Sequence, residues 1–222
     1  MTRKTISLFA VIALLFAGHA VNAQAGIDAA GERLVDEFVN KVITLQGRFE
    51  QSLIDAEGEV VERSSGTLEI ERPGKFRWSY DEPYEQWLVA DGLNIWSYDV
   101  DLLQVTVKPQ ADALANTPAL LLGGGDDAVS QFRFDGSTVE QGTTWVRMLP
   151  LDTSSGFERM ELGFVNDQLT RMVFFDNLEQ TTLVALYDVT TNEPIDAERF
   201  VFRVPEDADL VGTPVVADAT AP

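Results

Sequence analysis

The sequence has no cysteine and a single histidine, His19, in 222 residues, and its 16 lysines and arginines face 36 aspartates and glutamates. Each shortage excludes a chemistry. Without cysteine there is no disulfide, no thiol nucleophile, no thiolate metal ligand and no residue for an N-terminal lipid anchor. With one histidine, near the start of the chain, neither a Ser-His-Asp triad nor a histidine metal site is expected. No phosphate-binding P-loop and no dinucleotide-binding glycine fingerprint occur. A formal charge of −20 repels nucleic-acid phosphates and anionic headgroups alike, so no nucleic-acid partner is expected.

What is present begins with a leader. Arg3 and Lys4 precede an apolar run from Ile6 to Ala17, and Val21-Asn22-Ala23 forms a small-residue cleavage site before Gln24. The run is too short to span a bilayer as a helix. Residues 1–23 therefore read as a secretory signal, 24–205 as one domain, and 206–222 as an acidic, Pro/Ala-rich, flexible tail. Gly26 to Ile43 has the period of an amphipathic helix, with Ile27, Ala30, Leu34, Phe38 and Val42 on one face.

Most of the rest reads as short strands. They fall near 47–53, 59–63, 66–72, 75–80, 86–91, 93–99 and 103–108, then 144–150, 157–164, 168–175, 181–188 and 199–204. Turn signals such as Pro73-Gly74, Asp91-Gly92 and Asn166-Asp167 separate them. So many strands predict a large antiparallel sheet that curls into a barrel or a sandwich. The Ala/Leu-rich stretch 111–131, with Pro118 and Gly123 to Gly125, reads as two or three short helices. Paired acids such as Glu69 and Glu71, or Asp126 and Asp127, are expected by charge density alone and do not single out a hydrolase.

Strand parity carries the functional signal. Leu68, Ile70 and Arg72 share one face of their strand, and Phe76, Trp78 and Tyr80 share one face of the next. Aligning the two rows needs an odd loop or a bulge, pairing Arg72 with Phe76, Ile70 with Trp78 and Leu68 with Tyr80. In the following hairpin a two-residue turn at Asp91-Gly92 pairs Leu88 with Ile95 and Trp87 with Trp96. Both faces are then apolar: Leu88, Ala90, Leu93 and Ile95 on one, Trp87, Val89, Trp96 and Tyr98 on the other. Either helices cover one face or it lines an interior cavity. An arginine ending a strand can reach solvent; one held among apolar neighbours needs oxygen partners. The expected source is the carbonyls of 111–131.

These elements resemble the periplasmic outer-membrane lipoprotein carriers, the LolA family. The resemblance runs through Gly47-Arg48-Phe49-Glu50-Gln51, Gly66-Thr67-Leu68 and Arg72-Pro73-Gly74-Lys75-Phe76-Arg77-Trp78. It continues through Leu88-Val89-Ala90-Asp91-Gly92 with Trp96 and Tyr98, Asn116-Thr117-Pro118, and Ile195-Asp196-Ala197 before Phe200 and Phe202. It implies an incomplete, half-open antiparallel β-barrel of about eleven strands around an apolar cavity, covered by short helices. The cover is expected from 111–131 together with the N-terminal helix. The resemblance also implies a monomeric, non-enzymatic periplasmic carrier without cofactor or metal. Its acylated lipoprotein cargo would come from an inner-membrane ABC transporter and pass to an outer-membrane receptor of the LolB type. That receptor is itself anchored through a cysteine, which this chain lacks. Arg72 and Phe76 take the gating and ligand-binding positions. Leu68, Ile70, Trp78, Tyr80, Leu88, Ile95 and Trp96 are expected to line the cavity, with Met160, Leu162 and Val173 from the second half. The alternative is a LolA-like regulatory module that senses lipids or lipoproteins. Departures from the family are the strongly acidic surface and a 111–131 stretch that matches only at Asn116-Thr117-Pro118.

Overall fold

The computed structural model describes the backbone of residues 12–114, 120–123, 129–152 and 156–216, and the side chains of all of these except 12–23, 114, 120 and 121. The chain begins with α1 (Ile12–Lys41). Six strands follow: β1 (Thr44–Ile54), β2 (Val60–Glu71), β3 (Lys75–Glu82), β4 (Gln86–Asp91), β5 (Asn94–Asp99) and β6 (Gln104–Pro109). Two short helices, α2 (Gln110–Leu114) and α3 (Leu120–Gly123), come next. Then come β7 (Phe132–Glu140), β8 (Thr143–Pro150), β9 (Phe157–Val165), β10 (Gln168–Asp176) and β11 (Thr181–Thr191), a 3-10 turn (Ala197–Phe200) and β12 (Asp209–Val211). The expected leader falls partly outside the described residues, and 12–23 continue α1 as backbone. No helix among the described residues is long and apolar enough to cross a membrane.

All twelve strands form one open sheet in the order β12-β6-β5-β4-β3-β2-β1-β11-β10-β9-β8-β7. Two meanders, β1 to β6 and β7 to β11, meet where β1 pairs with β11. Eleven strands are antiparallel to their neighbours, and β12 adds a short parallel edge to β6. The curled sheet holds α1 on its concave side. Leu34, Val35, Phe38 and Val39 are buried there in one cluster with Phe49, Leu68, Ile70, Phe76, Met160, Leu162 and Met172. The solvent face of α1 carries an i,i+4 pair of Arg33 with Glu37 at 2.6 Å and of Lys41 with Glu37 at 2.8 Å. Exposed pairs of this kind add a few tenths of a kcal/mol each, about 0.3–0.5, so burial of the inner face is what holds the helix.

The helix seats closely on β7. A β carbon on Gly31 would lie 2.2 Å from Ser137 Oγ, so the contact excludes any side chain. Ser137 Oγ donates to the Ile27 carbonyl at 3.1 Å, and the Ser137 amide donates to Asp28 Oδ1 at 2.8 Å. Strand β7 does not stand out in the sequence. A bulge between Phe134 and Ser137 puts Asp135-Gly136, with Gly136 at φ 105°, inside it, and the alternation is broken there.

Other expectations need correction. Runs 59–63 and 66–72 are one strand, β2. The 199–204 run is not in the sheet: Asp196 caps the 3-10 turn by accepting from the Glu198 amide. Phe202 and Val204 then lie on the convex face against Val89, Trp96, Tyr98, Val105 and Val107. Apolar alternation there marks a strap across strands, because a sheet face buries alternate side chains of anything laid on it. The stretch after Pro205, expected to be loose, pairs as β12 and continues to Val215. The Val215 amide donates to Asn94 Oδ1 at 2.7 Å, and its carbonyl accepts from Asn94 Nδ2 at 2.9 Å. Residues 217–222 lie outside the described residues.

Candidate functional site

The β2–β3 turn is the focus of the concave face. The loop is odd, as parity requires, and the two apolar rows do face the same way. The register is shifted by two from the expected one, pairing Ile70 with Phe76, Leu68 with Trp78 and Gly66 with Tyr80. Arg72-Pro73-Gly74 is thus a three-residue turn, with Gly74 at φ 78°, and Arg72 sits in the turn instead of opposite Phe76. In the next hairpin the pairs are also shifted by two: Ala90 with Ile95, Val89 with Trp96 and Trp87 with Tyr98. Asp91 Oδ1 accepts from the amides of Leu93 and Asn94 at 2.8 and 2.7 Å, which folds four residues into that turn where two were expected. Leu93 is consequently exposed.

Arg72 is 8% exposed although it carries a charge. Its Nη1 donates to the carbonyl of Phe38 and, at 2.6 Å, to that of Val42. Its backbone amide donates to the Ile43 carbonyl at 2.8 Å, and the guanidinium stands 4.5 Å from the centre of the Phe38 ring. These carbonyls close the C-terminal end of α1, where unpaired C=O groups and the helix dipole carry negative charge. A cation there both caps the helix and has its charge answered. Burial pushes the Arg72 pKa down to about 10, which still leaves it charged at neutral pH.

The expected acceptors were in 111–131. Two of the Arg72 acceptors among the described residues are the Phe38 carbonyl, in the last turn of α1, and the Val42 carbonyl just beyond it, and the 111–131 stretch meets the same turn at Gly74. The Gly74 amide donates to the Gly123 carbonyl at 2.9 Å, and Gln110 Nε2 donates to the Gly74 carbonyl at 2.6 Å. Gln110 Oε1 accepts from the Gly92 amide at 3.0 Å, so this one buried side chain ties the β2–β3 and β4–β5 turns together. Residues 115–119 and 124–128, including Asn116, Thr117 and Pro118, lie outside the described residues.

Of the expected lining, Leu68, Ile70, Phe76, Trp78, Ile95, Met160 and Leu162 are buried on the concave face, with Tyr80 and Leu88 at its margin. Phe49, Trp78 and Tyr80 form an aromatic group with ring centres 5.1–6.2 Å apart. Two residues are misplaced. Trp96 is on the convex face, stacked on Phe202 at 5.2 Å. Val173 pairs with Glu161 and stands outside the concave cluster, whereas Met172 and Phe174, paired with Leu162 and Met160, stand in it or against it. A bulge between Leu169 and Arg171 shifts the parity, so Leu169 and Met172 both face inward. The concave face is also filled by α1 and Leu122 where an enclosed cavity was expected. Gln110, Asn94 and Asn192 were not anticipated. Asn192 accepts from the Ile43 amide at 2.8 Å and donates to the Lys41 carbonyl at 3.2 Å, helping to cap α1, and only tertiary contact reveals such a role.

The arrangement defines a class: an open, curled sheet with an apolar concave face, covered by a helix whose C-terminal end a buried arginine caps. The family described as outer membrane lipoprotein carrier protein LolA matches residues 40–203. A relative in Nitrosomonas europaea, described as an outer-membrane lipoprotein carrier protein, is 38% identical over 83% of this chain and 90% of its own length. Another, in Halorhodospira halophila and described in the same words, is 38% identical over 94% of this chain and 95% of its own. The chain is similar in fold to a conserved protein of Thermus thermophilus, with TM-score 0.51 and 16% identity over 82% of this chain and 97% of that one. The chain belongs to the LolA family of outer-membrane lipoprotein carrier proteins.

Proposed function

We propose that this protein is a periplasmic lipoprotein carrier. Its concave face shields the acyl chains of lipoproteins released by an inner-membrane ABC transporter, and it surrenders them to an outer-membrane receptor of the LolB type. The observation that carries the reading is Arg72, a buried cation that ties the covering helix to the rim of an apolar concave sheet. Burial of acyl chains contributes about 0.8 kcal/mol per CH₂, so cargo with several long chains cannot be released into water. It has to pass from one apolar surface to another, which requires a carrier of moderate affinity. Here moderation comes from the closed state. Cargo must displace Leu34, Val35, Phe38 and Val39 from the sheet, and the interactions of the closed form oppose loading. No covalent chemistry is assigned to the chain, and transport energy enters through the transporter. Incubating the purified protein with spheroplasts tests the reading. Lipoproteins should appear in the soluble fraction in one-to-one complexes with it, and the absence of such complexes in the presence of a working transporter would overturn it.

A further inference from the structure

The concave face changes character along its length. Towards the ends of β3 and β5 that lie away from Arg72, the inward positions become polar, and a pocket of about 490 Å³ opens there. It is lined by Glu62, Glu82, Asp99 and Asp101 and by the polar side chains Gln51, Ser64, Tyr80 and Gln86, with no lysine or arginine among them. None of the four carboxylates is in an ion pair among the described residues. Nor do they converge as a metal site would: no group of three or more acids able to hold a metal ion occurs among the described residues. Ser64 is 7% exposed, lines the pocket, and its hydroxyl has no hydrogen-bond partner among the described residues. An unpaired buried hydroxyl is costly and points to a partner that arrives from outside. Two large apolar side chains flank the opening: Tyr84 is 70% exposed and Leu102 is 69% exposed. Tyr80 connects this pocket with the apolar lining, since its ring packs on Phe49 and its hydroxyl donates to Gln51 Oε1 at 3.3 Å.

We propose that this pocket is a docking site for a protein partner that presents an arginine or lysine side chain flanked by apolar residues. Four carboxylates without a counter-ion answer the cation, and Tyr84 and Leu102 cover the apolar flanks. The volume of the pocket suits a long basic side chain, and Ser64 and Gln86 offer hydrogen-bond acceptors. The partner is a protein and not a membrane, because anionic headgroups are repelled by the same carboxylates. It is also a partner met in every cycle, since a cation-specific pocket would restrict a carrier of varied cargo. The inference rests on the carrier reading only for the nature of that cycle.

The test uses the full-length protein and a blocked peptide of sequence Gly-Gly-Leu-Arg-Leu-Gly-Gly, followed by amide chemical shifts. The expected result is a saturable set of shifts at 62–64, 80–86 and 99–102. They should weaken at least tenfold in Glu62→Gln/Asp99→Asn, and they should be absent with the peptide carrying Glu in place of Arg. The double variant Glu206→Gln/Asp207→Asn removes equal charge from the C-terminal segment and should bind as the parent does. Shifts spread over the whole acidic surface, equal loss in both double variants, or no saturable binding would each overturn the proposal. Lipoprotein uptake from spheroplasts is measured in parallel on the parent protein. Its loss in the parent would strike at the carrier reading, whereas loss of peptide binding alone strikes only at the pocket.

Discussion

At the scale of single residues the protein turns on Arg72. Its guanidinium is a planar five-donor fork with no acceptor, and it closes the C-terminal end of α1 through the Phe38 and Val42 carbonyls. Hydrogen bonds from a charged donor are worth about 1.5–3 kcal/mol each. Losing one of that strength moves a closed-to-open equilibrium at least tenfold, by roughly 1.4 kcal/mol per factor of ten. Arg72→Leu also adds apolar surface beneath the helix. The variant is expected to load lipoprotein as well as the parent or better, and to pass less than about a tenth as much to the outer-membrane receptor. Arg72→Lys keeps the charge without the fork, so it should restore transfer only in part. The fraction of bound lipoprotein transferred after adding receptor measures both. Transfer by Arg72→Leu at the parent's level would remove the gating role.

At the scale of elements two segments hold the sheet from opposite sides. On the concave side α1 is seated by the close approach of Gly31 to Ser137 and by its capped end. On the convex side the strap from Phe200 to Val215 covers Trp96 and Tyr98, and Arg199 holds Glu69 through a bidentate pair at 2.6–3.0 Å. Asn94 fastens the far end of that strap through both of its amide atoms. Asn94→Ala removes two hydrogen bonds of about 0.5–1.5 kcal/mol each. Hydrogen exchange at 209–216 should therefore rise, and the denaturation midpoint should fall by the equivalent of about 1–3 kcal/mol. Exchange at 34–42 should stay at the parent's level, because Asn94 and α1 are on opposite faces. Coupled loosening of both would mean that the two covers are one cooperative unit.

For the whole molecule, the open sheet has its concave surface covered by α1, and on the carrier reading cargo has to take the place of that helix. The sheet's eleven antiparallel strands are joined by backbone pairing, whereas α1 is held by burial of its inner face and by the contacts of Ser137 and Arg72. Loading should therefore act on the cover and leave the sheet. Hydrogen exchange of the lipoprotein complex is expected to be faster across 34–42 than in the free protein, with β1 to β4 unchanged. Unaltered protection across 34–42 on loading would place the cargo elsewhere.

The sequence alone determined the things that depend on local period and residue type. Alternation along the chain locates ten strands, the 3.6-residue period marks the inner face of α1, and an odd β2–β3 loop follows from matching two apolar rows. The absence of cysteine and the scarcity of histidine narrow the chemistry without any knowledge of the fold. Only the tertiary structure decided what depends on bulges, turn length and distant partners. A bulge inverts side-chain parity at the cost of one residue, which is why Val173 faces away and Met172 inward. A two-faced apolar strand does not say which cluster claims which face, so Trp96, expected in the cavity, lies under the strap. Two carbonyls that accept from Arg72 are 34 and 30 residues upstream. Every residue has a carbonyl, so no residue type marks one as a partner, and folding alone brings the C-terminal end of α1 to the β2–β3 turn.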